Sequence, residues 1–317
     1  MDTDPDSAAA SLHSVPRVPA WALPKTAVES DVDAAFLAGS ALASLDNLVR
    51  LQADCLGAWR QRLALKAAAA SVRLTGRVED EAALRDAWYL RQPGDEPGPA
   101  GNVLAAWRRL AARPTAIDTQ TLEIAAELLG VGWSAALSDL ADVTGELATS
   151  TTPAPLLAAR VANAVVERHP KAEALAWWVA DLTLSMRMRW PMAVPVLATQ
   201  IHSPLLRFGP DRIRCKPGDA EFARAVCIAT ATGSSEACRL GATIIMQAHR
   251  LREVTPKLRS KGAGEVIDRL LNDDAVPGSL STKTLSRWAS RRLFGRLTQL
   301  DAVRELTGRA TFQLYGL

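Results

Sequence analysis

Apolar residues recur every three or four positions through most of the chain, the spacing that places them on one face of an α-helix. The pattern begins after Ser30 and Asp31, which can cap a helix running to about Gln52. The predicted buried side of this helix carries Phe36, Ala38, Leu42, Leu45, Leu48 and Val49. Further helices are predicted at 57–74, 79–91, 101–113, 119–129, 133–148, 154–168, 171–187, 193–202, 219–251 and 264–272. The chain is therefore predicted to be mainly α, with a multi-helix bundle as its body.

The pattern changes near the end of the chain. Residues 282–300 are predicted as a helix, with Ser281 and Thr282 as candidate caps. Its core stripe is formed by Ala289, Leu293, Leu297 and Leu300. Residues 303–306 and 311–315 then read as two short strands joined by a turn at Gly308.

A helix followed by a small β-hairpin is the second half of a winged helix-turn-helix. The first helix of that unit would be residues 264–272. Residues 273–280, which contain Pro277 and Gly278, are short for the usual middle helix. The fold prediction is thus a helical body followed by a C-terminal winged helix-turn-helix.

Positive charge is concentrated in this C-terminal stretch. Residues 279–317 carry seven basic and two acidic side chains, a net charge of +5, whereas the whole chain carries +3. Guanidinium groups along a helix can reach phosphates and guanine edges in a major groove, and a basic hairpin tip can probe the minor groove. The candidate DNA-binding residues are Lys283, Arg287, Arg291, Arg292, Arg296 and Arg309.

Two other interpretations of this face stay open. A basic helix face is often only solvated, and a winged helix can dock a protein instead of DNA. Trp288 lies on the polar face of the predicted helix. An aromatic residue in that position more often packs against a neighbouring helix than stacks on a base.

The predicted domain organisation follows the breaks in the helical pattern. Residues 1–28, rich in Asp, Ser and Pro, are predicted to be a disordered tail. The strongest turn lies at 92–99, and a Ser- and Thr-rich linker at 149–153 marks a boundary. The predicted domains are an N-terminal helical domain, a second helical domain and the winged helix-turn-helix, at 29–150, 154–255 and 263–317.

Composition favours a cytoplasmic protein. No run of about 18 uninterrupted apolar residues indicates a membrane span, and the start, with Asp2, Asp4 and Asp6, does not resemble a signal peptide. The cysteines are far apart and form no Cys-x-x-Cys motif, which is typical of packed, reduced thiols. They are Cys55, Cys215, Cys227 and Cys238.

The sequence lacks the common motifs of catalysis, cofactor binding and metal binding. The sequence contains no Gly-x-x-x-x-Gly-Lys-Ser/Thr and no Gly-x-Gly-x-x-Gly motif. None of its four histidines stands four positions from another histidine or a cysteine, so a zinc site is not expected. We therefore predict a protein without enzymatic activity, cofactor or metal.

Two stretches carry a family resemblance. Residues 59–101 and the ending Ala302-Val303-Arg304-Glu305-Leu306-Thr307-Gly308-Arg309-Ala310-Thr311-Phe312 resemble a bacterial family of uncharacterised proteins, domain of unknown function 1403. The resemblance implies no assigned activity. Because members of that family are often encoded on large plasmids, it points to plasmid replication, partition or transcriptional control.

The ending is also similar to the winged-helix tail of Fic-type proteins. Residues 71–76 resemble the inhibitory helix of that family, with Thr75 in place of its glutamate. His169-Pro170 begins like the catalytic motif, but no Gly-Asn-Gly-Arg follows. This resemblance implies a Fic-like protein that has lost transferase activity.

Together these patterns predict a DNA-binding protein with duplex DNA as its partner. Its helical body would serve for homodimerisation or for docking a protein partner, with no membrane contact. The alternatives are an adaptor whose winged helix binds protein, or the degenerate Fic-like protein.

Overall fold

The chain is mainly helical, as its apolar periodicity predicts. The computed structural model describes residues 15–91, 94–258 and 262–317. Most of the predicted tail, part of the 92–99 turn and residues 259–261 lie outside these ranges. Within the described ranges the α-helices are α1 (Asp31–Arg50), α2 (Leu56–Leu74), α3 (Glu81–Tyr89), α4 (Gly98–Ala112), α5 (Thr119–Leu128), α6 (Leu140–Ala148), α7 (Ala154–Arg168), α8 (Glu173–Arg187), α9 (Phe222–Val254), α10 (Ala263–Asn272) and α11 (Arg287–Gln299).

In the described part of the chain, two small antiparallel sheets accompany the helices. The first joins β1 (Arg207–Phe208) to β2 (Ile213–Arg214). The second has the strand order β3-β5-β4, with β3 at Val276–Pro277, β4 at Arg304–Glu305 and β5 at Leu314–Gly316. β5 is thus the central strand, paired with both neighbours.

The chain forms two compact units, each assembled from segments distant in sequence. The larger unit contains Val18–Asn47 and Leu63–Ala237. The smaller unit contains Leu48–Arg62 and Cys238–Leu317, together with residues 15–17. The contiguous domains expected from the sequence stay predictions.

The core of the larger unit combines alanine-rich helices with buried tryptophans. α7 packs along α8, and fully buried Ala158 and Ala162 allow the close approach. Each tryptophan needs a hydrogen-bond acceptor for its indole N–H. The Nε1 of Trp107 donates to Ser71 Oγ at 3.0 Å, and that of Trp178 donates to the Ala106 carbonyl at 3.1 Å.

Residues 193–202 are not the helix that their apolar content predicts. The segment is irregular except for a 3-10 turn at Ala198–Gln200. Asp181, fully buried on α8, accepts hydrogen bonds from the backbone N–H groups of Val196 and Leu197 at 2.8 Å and Ala198 at 3.1 Å. These bonds satisfy the backbone without a helix, and Pro195 could not have donated one.

Two other expectations in the larger unit are wrong. Phe36 is 62% exposed on α1 and contacts Trp21, with ring centroids 6.0 Å apart, instead of entering the core. Residues 133–139 do not belong to the helix predicted at 133–148, because α6 begins only at Leu140. A separate 3-10 turn precedes it, and the Ser138 hydroxyl donates to the Ala135 carbonyl within that turn.

One helix among the described residues, α1, has the length and mean hydropathy of a membrane span. Helices that line a protein core can meet the same criterion. α1 carries Asp46, whose carboxylate accepts a hydrogen bond from Trp190 Nε1 at 2.8 Å. The helix is therefore used in packing within the larger unit.

The smaller unit brings α10, α11 and the three-stranded sheet together with the start of α2. Arg62 on α2 pairs with the carboxylate of Asp274 and donates to the carbonyls of Asp274 at 3.0 Å and Leu317 at 3.3 Å. Asp274 is only 2% exposed. Arg62 therefore contacts both ends of the segment 274–317, which carries the candidate site.

Candidate nucleic-acid interface

The basic helix α11 begins at Arg287, five residues later than predicted. Its cap is Ser286, whose hydroxyl accepts the N–H of Ala289 at 3.3 Å. Ser281 and Thr282, the predicted caps, lie in a preceding turn in which the Thr282 N–H donates to the Leu285 carbonyl. This local hydrogen bonding replaces the first helical turn.

The buried face of α11 is rotated slightly from the predicted stripe. Leu293 and Leu297 are buried as expected, but Ala289 and Leu300 are only half-buried. Phe294 takes their place and stacks on Tyr315 of β5, with ring centroids 4.5 Å apart and an interplanar angle of 10°. α11 is thus fixed on the sheet by an aromatic pair.

All six predicted DNA-binding side chains are exposed. Four of them lie on α11, Lys283 lies in the turn before it, and Arg309 lies in the loop between β4 and β5. Within the described residues, no carboxylate lies at ion-pair distance from the five cations on α11 and in the turn before it. These five are Lys283, Arg287, Arg291, Arg292 and Arg296.

The two acidic residues of this stretch are engaged elsewhere. Asp301 forms an ion pair with Arg250 of α9. Glu305 accepts hydrogen bonds from the Thr307 hydroxyl and from the N–H groups of Thr307 at 2.8 Å and Gly308 at 2.7 Å. Neither carboxylate neutralises the arginines of α11.

The Glu305 carboxylate organises the hairpin turn. Burial alone would raise the pKa of Glu305, but the hydrogen bonds from Thr307 and Gly308 and the charge of Arg309 outweigh it, so the pKa is lowered. Gly308 adopts φ +64°, as the turn prediction required. The Glu-x-Thr-Gly-Arg sequence therefore has a structural role: it shapes the turn that presents Arg309.

A groove of about 440 Å³ separates the start of α11 from the β4–β5 loop. Arg287 and Arg291 line one side, and residues 310–313 line the other. Because α11 has no acidic residue in its first turn, its N-terminal dipole adds to the positive potential there. The groove is suited to an anionic partner.

Two aromatic side chains stand exposed at this surface. Trp288 is 77% exposed, so its ring is not covered by a neighbouring helix. Phe312 is 72% exposed and adopts φ +55°, a left-handed conformation that is costly for an aromatic residue. The sequence pattern missed Phe312 as a site residue, because alternation at 311–315 predicted a strand that actually begins at Leu314.

The described residues offer little other chemistry. They contain no group of three or more His, Cys, Asp or Glu side chains placed to hold a metal ion. The four cysteines are buried free thiols. Burial raises the pKa of Cys55 to about 11 and those of Cys215, Cys227 and Cys238 to about 12, so they are protonated and unreactive at neutral pH.

Comparison with known proteins identifies the family of the chain. No curated protein matches it. The family model described as "Protein of unknown function (DUF1403)" matches residues 6–317, nearly the whole chain. This is the family suggested by residues 59–101 and by the Arg-Glu-Leu-Thr-Gly-Arg ending, and the chain belongs to it.

Proposed function

We propose that this protein binds duplex DNA, without catalysing a reaction, through α11 and the β4–β5 loop. The observation that carries the proposal is the set of five exposed cations, from Lys283 to Arg296, with no carboxylate beside them in the described part of the chain. An exposed run of unneutralised charge costs stability through self-repulsion unless an anionic partner compensates it. DNA phosphates supply such a partner at high density.

The spacing of the arginines fits a groove. Arg287 and Arg291 are four residues apart on α11, so they project from the same side of the helix, roughly 6 Å apart along its axis. Arg292 lies about 100° further round the helix, whereas Arg296 lies on the side opposite Arg287. Gly295, one turn after Arg291, leaves open space beside these side chains. A helix of this kind fits the major groove, which is about 12 Å wide.

The order of elements in the smaller unit supports a winged-helix reading of this site. A helix (α10), a strand (β3), a second helix (α11) and a hairpin (β4 and β5) follow one another, and the sheet order is β3-β5-β4. In this proposal α11 is the recognition helix and the β4–β5 loop is the wing. Residues 278–286, which contain no α-helix, replace the middle helix.

A protein partner is the second candidate, and the exposure of Trp288 favours it. Tryptophan and arginine are the residues that most often dominate protein–protein binding energy. In that case the same face of α11 would bind an acidic protein surface, and the protein would act as an adaptor.

Fluorescence anisotropy distinguishes these candidates. The full chain is titrated into a labelled duplex of about 30 base pairs taken from the DNA flanking its own gene. The double variant Arg291→Ala/Arg292→Ala should bind roughly 10- to 100-fold more weakly than wild type, because two charge-assisted contacts are lost.

The matched control removes two exposed arginines elsewhere, Arg187→Ala and Arg239→Ala, and so changes net charge equally. It should bind like wild type. Equal losses of DNA affinity in both double variants would show that binding depends only on overall charge. That result would exclude a DNA site on α11. Weak binding by all three proteins, with a stable partner retained in pull-downs through Trp288, would establish the adaptor.

A further inference from the structure

A second cavity, unrelated to the basic surface, lies within the larger unit. It has a volume of about 170 Å³ and is bounded by α4, α5 and α8. Its apolar walls are formed by Ala106, Leu110, Ile124, Leu128, Trp178 and Leu182. Leu110, Trp178 and Leu182 are buried, whereas Ile124 and Leu128 are half-buried, so the cavity has an apolar floor and an accessible side.

The size of the cavity indicates what it can hold. An apolar cavity of about 150 Å³ in another protein stays free of water and binds benzene. The Trp178 indole N–H is already bonded to the Ala106 carbonyl, so it offers no hydrogen bond to water in the cavity. A single aromatic ring or a short branched alkyl group matches this space.

The mouth of the cavity is charged. Arg109 lies on α4, and Arg113 lies one helical turn later, directly after the last residue of that helix. Both side chains are exposed. Neither forms an ion pair with a carboxylate among the described residues. Among the described residues that line the cavity, the acid is Asp118, which accepts hydrogen bonds from the N–H and hydroxyl of Thr121 as the cap of α5. The mouth therefore carries a net charge of +1.

We propose that this cavity binds a small carboxylate whose body is a single apolar ring or a comparable alkyl group. The apolar body would fill the space against Leu110, Trp178 and Leu182. The carboxylate would remain at the mouth and pair with Arg109 or Arg113, since guanidinium groups bind carboxylates in a two-pronged geometry. This site is independent of the proposed DNA interface.

Isothermal titration calorimetry of the full chain tests the proposal with three probes. Benzoate has both the ring and the carboxylate, benzyl alcohol has the ring without the charge, and acetate has the charge without the ring. We expect benzoate to bind at least about tenfold more tightly than benzyl alcohol, the difference that one charge-assisted hydrogen bond supplies. It should also bind at least about tenfold more tightly than acetate, which has no apolar ring to bury.

Two sets of variants locate the site. Arg109→Gln/Arg113→Gln should weaken benzoate about tenfold and leave benzyl alcohol unchanged. The control Lys171→Gln/Arg239→Gln removes two other exposed cations and should change neither. Ile124→Trp fills the cavity and should abolish both, with circular dichroism checking that the variant is folded. Absence of benzoate binding, equal affinity for benzyl alcohol, or insensitivity to the arginine and Ile124 changes would overturn the proposal.

Discussion

Asp181 is the buried carboxyl group on which the 194–198 segment depends. Burial raises the pKa of Asp181 to about 7, even though three backbone N–H groups favour its ionised form and lower the pKa. The folded state therefore retains a proton that the unfolded chain releases near its ordinary value of 3.8. The stability contributed by this group is fully present below about pH 4 and is lost as the pH rises through about 7.

Replacing Asp181 tests this linkage. Asp181→Asn keeps one acceptor oxygen but turns an amide N–H₂ toward the Ala198 N–H, so we expect lower stability than wild type at pH 5. The deficit should shrink toward pH 8, because the variant has no proton to lose. Urea unfolding at several pH values measures the difference, and parallel stability curves for the two proteins would refute the assignment.

Phe312 combines exposure with backbone strain, which the fold alone does not require. Asparagine tolerates positive φ better than phenylalanine, so Phe312→Asn should leave the free energy of unfolding unchanged or raise it by up to about 1 kcal/mol. If the ring contacts DNA, the same change should weaken duplex binding by about 1.4 kcal/mol, or tenfold. Unfolding curves and anisotropy titrations report the two effects separately. Weaker binding accompanied by equal destabilisation would identify Phe312 as a structural residue only.

At the scale of elements, the β4–β5 turn depends on one carboxylate. Glu305→Gln removes a charge that accepts three hydrogen bonds, and it should destabilise the turn by about 1–2 kcal/mol. Hydrogen–deuterium exchange at the Thr307 and Gly308 amides measures this loosening. Because the pKa of Glu305 is lowered, the wild-type turn should also lose protection as the pH falls through that lowered value. Unchanged amide exchange in the variant would contradict this role.

The sequence predicts helices correctly where apolar residues repeat over several turns. It predicts them incorrectly where a side chain from another element hydrogen-bonds to the backbone. α2, α7 and α10 lie within two residues of their predicted limits, because their apolar residues repeat over several turns. The 193–202 segment was misjudged, since Asp181 bonds to its backbone from a different helix. No local pattern contains that information.

The candidate site was only partly visible in the sequence. The exposed arginines of α11 follow from charge and helical spacing, and the structure leaves them uncovered. β3 was missed because it has two residues, one of them Pro277, and exists only through pairing with β5. Phe312 was misassigned because its left-handed backbone breaks an alternation that looks like a strand.

At the scale of the molecule, the smaller unit is held together by the ion pair between Arg62 and Asp274. Arg62→Met leaves a buried carboxylate without its guanidinium, so we expect a loss of about 3–5 kcal/mol. Adding Asp274→Leu removes that buried carboxylate as well and should restore part of the loss. Thermal unfolding of the single and double variants tests this coupling, and additive losses would show that the two side chains act independently.

The salt dependence of DNA binding shows directly whether α11 contacts phosphates. If α11 lies against phosphates, the logarithm of the wild-type binding constant should fall linearly with the logarithm of salt concentration between about 50 and 200 mM. Arg291→Ala/Arg292→Ala should flatten that slope by about two units, one for each lost phosphate contact. Identical slopes for the variant and wild type would contradict the account, because the arginines of α11 would then take no part in binding DNA.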